Sequence, residues 1–117
     1  MAWKDDIEEN IKCGLVDILI LKLLSKEDMY GYQIRQEISA RSSGGIDIKE
    51  GSLYGPLYRM SEKGFVSTHK EMVGPKRFRN YYHLEPSGKE YLLLAEELFA
   101  SIIHGAEQIM NGEEKHE

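Results

Sequence analysis

The side chains best suited to chemistry in this sequence are one cysteine and four histidines, and they do not form a known reactive group. Cys13, His69, His83, His104 and His116 could in principle bind a metal, but no two of them have the close spacing of a metal-binding motif. His69-Lys70-Glu71 matches the His-x-Glu of a zinc deaminase, yet the accompanying Pro-Cys-x-x-Cys is missing. Residues 45–52 contain glycines but lack the lysine that a phosphate-binding loop requires. We therefore predict a protein that is not an enzyme and holds no metal or cofactor.

Composition favours a single folded domain in the cytoplasm. The chain has 117 residues, of which 41% are hydrophobic and 30% are charged. Its most apolar stretch, residues 15–24, is interrupted by Asp17 and Lys22 and is too short to cross a bilayer. The polar, acidic N-terminal residues lack the apolar core of a signal peptide, and the single Cys13 cannot form an internal disulfide.

Charge is distributed unevenly along the chain, which has a net charge of −5. Residues 1–48 carry 6 basic and 9 acidic side chains, and residues 84–117 carry 2 basic and 8 acidic ones. Residues 49–83 reverse this balance, with 7 basic and 3 acidic side chains. A basic middle between acidic ends is typical of a protein with one face that meets an anion. The alternative is that the basic residues cluster there by chance.

Hydrophobic periodicity predicts the order helix, helix, short strand, helix, two-stranded hairpin, long helix, which is mainly α with a small β-hairpin (α+β). The first helix continues to Leu24, and the second contains Tyr30 and has Asp28 as its cap. The short strand is Ile46-Asp47-Ile48. The third helix has Ser52 as N-cap and ends at Gly64. The hairpin strands are 65–69 and 78–84, joined by a protruding basic loop, and the last helix runs from Pro86 to about Met110.

The third helix has an outward face that could enter a DNA major groove. Leu53, Leu57 and Met60 point inward, so Gly55, Tyr58 and Arg59 point outward. Tyr54 lies on the flank, and Ser52 is at the N-terminus, where backbone N–H groups can bind a phosphate. The candidate DNA-binding residues of this segment are Lys49, Ser52, Tyr54, Gly55, Tyr58 and Arg59. Alternatively, the two tyrosines simply cover the core.

The hairpin region supplies a second candidate DNA contact. Residues 74–84 carry Lys76, Arg77 and Arg79 interleaved with aromatic residues, and they contain no acid. Such a strip suits contact with a phosphate backbone and would not select bases. An ordinary solvated turn is the alternative.

The last helix carries an apolar stripe about six turns long, which is more than a small domain can cover by itself. A second copy of the chain is the expected cover. The predicted dimerisation residues are Tyr91, Leu94, Leu98, Phe99, Ile102 and Ile109.

Three segments together resemble the signature regions of PadR-type transcriptional regulators, in the same order and spacing. They are residues 29–34 (MYGYQI), 50–66 (EGSLYGPLYRMSEKGFV) and 79–88 (RNYYHLEPSG). One departure is that Gly55 stands where the family usually has proline, with Pro56 following. This changes how the recognition helix begins and leaves its base-contacting set open.

The resemblance implies a winged helix-turn-helix homodimer that binds a palindromic operator, usually as a repressor. It places Ser52, Tyr54, Gly55 and Tyr58 in the recognition helix and Lys76, Arg77 and Arg79 in the wing. It also implies release of the DNA by a small aromatic or phenolic effector near the dimer interface. Trp3, Phe99 and Tyr91 are the aromatic candidates for that contact, with packing as the other interpretation of all three.

The implied organisation is a DNA-binding domain over residues 1–85, a dimerisation helix over 86–112 and a polar tail over 113–117. The rival hypothesis is a winged-helix module that binds a protein partner and never touches DNA. A small catalytic domain would require a reactive cluster that the sequence lacks.

Overall fold

The computed structural model describes residues 2–112. Within them, five helices and three strands follow one another along the chain. They are α1 (Ala2–Lys12), α2 (Val16–Leu24), β1 (Met29–Tyr30), α3 (Gly31–Arg41), α4 (Gly51–Glu62), β2 (Val66–Gly74), β3 (Arg77–Leu84) and α5 (Pro86–Asn111). This is the α+β winged-helix arrangement with a long C-terminal helix that the sequence predicts. No helix in the described part of the chain is both long and apolar enough to span a membrane.

The core lies between α2, α3, α4 and the base of the sheet. Each helix contributes the apolar residues that recur every three or four positions, because these fall on one side of the helix. Seven of the buried side chains are almost completely removed from solvent: Ile20, Leu21, Met29, Ile34, Leu53, Leu57 and Met60. The inward stripe predicted for the third helix is therefore confirmed.

The three strands form an antiparallel sheet in the order β1-β3-β2. Val66 pairs with Leu84 at the buried end of the hairpin, and Tyr30 of β1 pairs with Tyr81 of β3. Both strands of the hairpin are longer than predicted, so only Pro75 and Lys76 remain in the turn. The protruding basic loop is thus a two-stranded ribbon with a short end.

The predicted first helix is wrong in one respect, because it is divided into α1 and α2. Cys13, Gly14 and Leu15 form a turn in which the Leu15 N–H donates to the Lys12 carbonyl at 2.8 Å. Glycine has a low helix propensity, and the tighter three-residue hydrogen bond ends α1 there.

The predicted start of the second helix is also wrong. Tyr30 is extended, with φ −94° and ψ 166°, and belongs to β1, so α3 begins at Gly31. Asp28 does not cap the helix; its Oδ1 lies 2.7 Å from Nδ1 of His83 on β3. Pairing with a distant strand overrides the local helical pattern here.

Two further local predictions fail. Ile46-Asp47-Ile48 is not a strand: the Ile46 N–H donates to Ser42 Oγ at 2.9 Å, and Ile48 is buried in the core. Ser52 is not the N-cap of α4, because that helix begins at Gly51 after Glu50.

The long last helix is confirmed, running from Pro86 to Asn111. Its first turns pack on α2 and on the start of the hairpin: Leu92 is buried, and the Tyr91 ring stacks on Phe65, just before β2, with centroids 4.6 Å apart. Gly88 allows this contact, since a Cβ there would lie 2.2 Å from the Phe65 carbonyl oxygen. The predicted polar tail, 113–117, falls outside the described residues.

Candidate nucleic-acid interface

The outer face of α4 presents side chains to solvent because the opposite face is buried. Tyr58 is 68% exposed, and Gly55 and Ser52 are also exposed. Lys49 is exposed just before the helix. The structure therefore brings these four predicted residues to the solvent side of one helix and its N-terminus. The Ser52 and Leu53 N–H groups there already donate to the Lys49 and Glu50 carbonyls at 2.9 and 3.0 Å, so side chains, not these N–H groups, are what the helix start offers to an anion.

Tyr54 sits on the flank of α4 and makes two contacts. Its hydroxyl donates a hydrogen bond to Oε2 of Glu50, one turn earlier, at 2.8 Å. Its ring lies against Gly31 at the start of α3, where an added Cβ would be 3.1 Å from the hydroxyl oxygen. The hydrogen bond to Glu50, followed by partial burial, raises the pKa of Tyr54 above its ordinary value. Tyr54 was predicted from the sequence as a site residue and its partner Glu50 was not, although their spacing of four is the spacing of helical neighbours.

Arg59 is committed to an internal ion pair. Its guanidinium donates to both carboxylate oxygens of Asp17 on α2, at 2.9 and 3.4 Å. This hydrogen bonding, and then the charge of Asp17, raises the pKa of Arg59. The contact ties α4 to α2 and holds the guanidinium on that side of the helix.

The wing, defined as β2, β3 and their turn, projects from the body of the protein. Nine residues of β2 extend about 30 Å, and residues 75–80 at its outer end are all exposed. Lys76 has a positive φ of 59°, a conformation that turns ordinarily reserve for Gly or Asn. Among residues 2–112, no carboxylate lies within 4.0 Å of the charged groups of Lys49, Lys76, Arg77 or Arg79.

Arg79 differs from the other wing cations because it lies over an aromatic ring. Its guanidinium carbon is 4.2 Å from the centroid of Tyr30 on β1. Tyr30 packs edge-on against Tyr81, and Tyr81 stacks on His69. This row of side chains stiffens the inner half of the wing. A cation over an aromatic face is attracted by the ring quadrupole, so Arg79 is held toward the sheet.

The same face of the wing carries a polar network that the sequence analysis missed. Asp28 hydrogen-bonds His83, and its other oxygen lies 3.8 Å from His69. His69 in turn hydrogen-bonds Glu71 at 2.8 Å. Alternation along the strands places His69 and His83 on one face, but the participation of Asp28 depends on β1 and was not visible in the pattern.

The predicted dimerisation residues divide into two groups on α5. At about 100° per residue, the majority project within an arc of about 80° on the solvent side: Tyr91, Leu94, Leu98, Ile102 and Ile109, all exposed. Phe99 projects about 60° beyond the edge of that arc and is half-buried.

The two predicted effector residues lie on different elements. Trp3 is 74% exposed on α1, whereas Phe99 is on α5. In the described part of the chain, neither Trp3 nor Phe99 packs against another aromatic ring. A cleft of about 260 Å³ between α2 and α3 also contains neither; its lining combines apolar side chains with Lys22, Lys26, Glu37 and Arg41.

Residues 20–93 match the model of the transcriptional regulator PadR-like family. Over 86 residues, 74% of this chain and 79% of the other, the sequence is 36% identical to an uncharacterized protein from Lysinibacillus sphaericus.

Several solved structures of transcriptional regulators are also similar to this chain. A PadR family transcription regulator from Clostridium difficile R20291 superposes with a TM-score of 0.69 at 30% identity, covering 81% of this chain and 97% of that one. A transcriptional regulator from Clostridium thermocellum gives a TM-score of 0.73 at 26% identity, with 91% and 99% covered. Bacillus subtilis PadR in complex with operator DNA gives a TM-score of 0.62 at 27% identity, with 67% of this chain and 44% of that chain covered.

Proposed function

The chain belongs to the transcriptional regulator PadR-like family, and on that basis we propose that it represses a gene by binding a palindromic operator as a homodimer. The proteins of this family are transcriptional regulators, not enzymes. Release of the DNA by a small aromatic or phenolic inducer, and a cytoplasmic location beside the DNA, are parts of the same proposal.

The observation that carries DNA binding is the set of unpaired cations on two neighbouring elements. Lys49 lies before α4, Lys76 and Arg77 lie at the wing tip, and no carboxylate in the described residues neutralises them. Lysine and arginine side chains of this kind contact phosphates and fix the register of a protein on DNA. The likeness to a PadR solved with operator DNA supports this assignment.

Base contacts are assigned to the exposed face of α4. Tyr58 and Gly55 lie on that face, with Ser52 at its N-terminus. The absence of a side chain at Gly55 lets the groove floor approach the helix closely. Arg59 and Arg79 stay within the proposed interface, but each has an intramolecular partner to leave before it contacts DNA.

The dimer is supported by the shape of the chain and by its exposed apolar residues. The radius of gyration is 17.0 Å, whereas a compact chain of this length would have about 13 Å. The larger radius of gyration reflects the length of α5, which is about 39 Å. The exposed stripe of this helix includes Leu98 and Ile102. Pairing two such stripes removes apolar surface from water and sets two α4 helices in successive major grooves, about 34 Å apart.

The inducer contact remains assigned to Trp3 and Phe99. Trp3 lies on α1 and Phe99 on α5, and the proposed site forms where these two helices meet in the dimer.

A gel-shift experiment with the DNA directly upstream of the protein's own gene tests the proposed function. A dimer that contacts phosphates through Lys49, Lys76 and Arg77 of each protomer should lose affinity by about 10³-fold between about 50 and 200 mM salt. A scrambled duplex of equal length and composition should bind far more weakly. If neither duplex is retarded at any salt concentration, the protein-binding module is the correct function instead.

A further inference from the structure

We propose that Glu50 is a positioning residue that makes Tyr54 a reader of base amino groups instead of a phosphate contact. The proposal rests on the DNA-binding function proposed above. It starts from one juxtaposition: Glu50, directly before α4, lies one turn from Tyr54 of that helix, and Gly31 of α3 lies against the Tyr54 ring.

The ring of Tyr54 is fixed from two directions. Glu50 holds its hydroxyl at 2.8 Å. Gly31 leaves room for the same end of the ring: a Cβ there would be 3.1 Å from the hydroxyl oxygen and 3.3 Å from Cε1. Tyr54 nevertheless remains 46% exposed, so its orientation is set while nearly half of the residue stays accessible. This combination differs from Tyr58, which is 68% exposed.

The direction of the hydrogen bond decides what Tyr54 can bind. A phenol has a single proton to donate, and here Glu50 accepts it. The Tyr54 oxygen can then only accept a further hydrogen bond. A phosphate has no proton to offer, whereas adenine N6 and cytosine N4 present amino donors in the major groove.

The negative charge of Glu50 also favours contact with a base amino group over contact with a phosphate. The carboxylate lies at the N-terminus of the helix and repels phosphates, yet it can itself accept from an amino group. The raised pKa of Tyr54 agrees with a phenol that keeps its proton on the bond to Glu50. Glu50 and Tyr54 therefore form an acceptor-only patch beside the cations of the interface.

Selection of duplexes from a pool with a randomised central segment tests this even when the operator sequence is not known. Wild-type protein should enrich a sequence with an adenine or cytosine preference at one position in each half-site. Glu50→Ala and Tyr54→Phe should both reduce the preference at that same position about tenfold. Glu50→Gln, whose amide oxygen can accept the Tyr54 proton, should retain it.

Glu62→Ala is the matched control, because it removes the same charge from the exposed far end of α4 and should leave every base preference intact. Glu50 and Tyr54 lie outside the buried core, so these variants should fold. Ultraviolet titration provides a readout that needs no DNA: the phenol assigned by difference from Tyr54→Phe should ionise at lower pH in Glu50→Ala.

Two negative results are possible, and they refute different claims. If wild type enriches a sequence but Glu50→Ala and Tyr54→Phe enrich the same one equally well, the role of Glu50 is refuted and the regulator function stands. If wild type enriches nothing, sequence-specific DNA binding fails, and this proposal fails with it.

Discussion

Three arginines of the basic segment differ in what their guanidinium groups contact. Arg59 binds Asp17, Arg79 lies over Tyr30, and Arg77 is exposed at the wing tip with no carboxylate near it in the described chain. A cation without an internal partner has nothing to give up when it meets a phosphate. At the scale of single residues, we therefore expect Arg77 and its neighbour Lys76 to be the strongest phosphate contacts.

Replacing Lys76 or Arg77 with alanine should weaken binding to operator and non-operator duplexes alike. Each substitution should reduce the slope of log K against log salt by about 0.9 per lost phosphate contact, measured by fluorescence anisotropy at several salt concentrations. Lys4→Ala removes an exposed charge from α1, outside α4 and the wing, where Lys4 Nζ lies 3.7 Å from Glu8 Oε1, and should leave the slope unchanged. If the slope of log K against log salt is unchanged in both variants, the assignment of the wing as a phosphate contact is wrong.

Tyr82 couples the sheet to pH. Partial burial raises the pKa of Tyr82 above its ordinary value of about 10. Above pH 10 the unfolded chain loses this proton before the folded chain does, so the free energy of unfolding should fall as pH rises through the folded pKa. Tyr82→Phe should change stability little at neutral pH and should make this alkaline loss shallower. Urea unfolding at pH 7 and pH 10.5 measures both; an equal loss in the two proteins would exclude Tyr82 as its source.

At the scale of elements, the joint between α5 and the sheet depends on Gly88. A Cβ at this position would lie 2.2 Å from the Phe65 carbonyl oxygen and 2.6 Å from Leu84 Cδ1, so α5 must shift away from the sheet. Gly88→Ala should lower the free energy of unfolding by about 2–3 kcal/mol, measured by urea denaturation. Gly51→Ala, at the first residue of α4 where a Cβ meets nothing within 4 Å, should be neutral or stabilising by up to about 1 kcal/mol. Equal stability of the two variants would show that the joint can relax.

Elements were predictable from the sequence where their signals are local. Pro86 and the long apolar stripe specify α5, and the inward triad of Leu53, Leu57 and Met60 specifies the buried side of α4. The two-residue β1 was not predictable, because only its pairing with β3 makes Met29 and Tyr30 a strand.

The candidate site, too, was only partly predictable from the sequence. Sequence composition identified the cations of α4 and the wing, because charge is read directly from residue type. Which of these cations already has an intramolecular partner depends on tertiary contacts. Asp17, the partner of Arg59, lies 42 positions before it in the chain, and no spacing rule links the two. The partnership of Glu50 with Tyr54 is local, by contrast, and a search for helical pairs four residues apart would have found it.

On the scale of the whole molecule, charge and shape favour the same assembly. The net charge of −5 keeps most of the surface away from DNA, while the basic segment supplies local attraction. One protomer offers a single α4 and a single wing, which limits both affinity and the length of sequence that it can read. Two linked copies convert the second half-site contact into an intramolecular event.

The proposed dimer can be tested at the centre of the exposed α5 stripe. Leu98 and Ile102 are 53% and 67% exposed in the isolated chain, so replacing both with glutamate should leave the protomer folded while placing four carboxylates in the paired interface. Light scattering should then report a monomer, and operator affinity should fall by at least about 10²-fold because one half-site is lost. Ala100→Glu adds a carboxylate on the opposite side of the same helix and should remain dimeric with unchanged affinity. A dimer that persists in the double variant would place the interface elsewhere, with the α1 stripe of Trp3, Ile7 and Ile11 as the next surface to change.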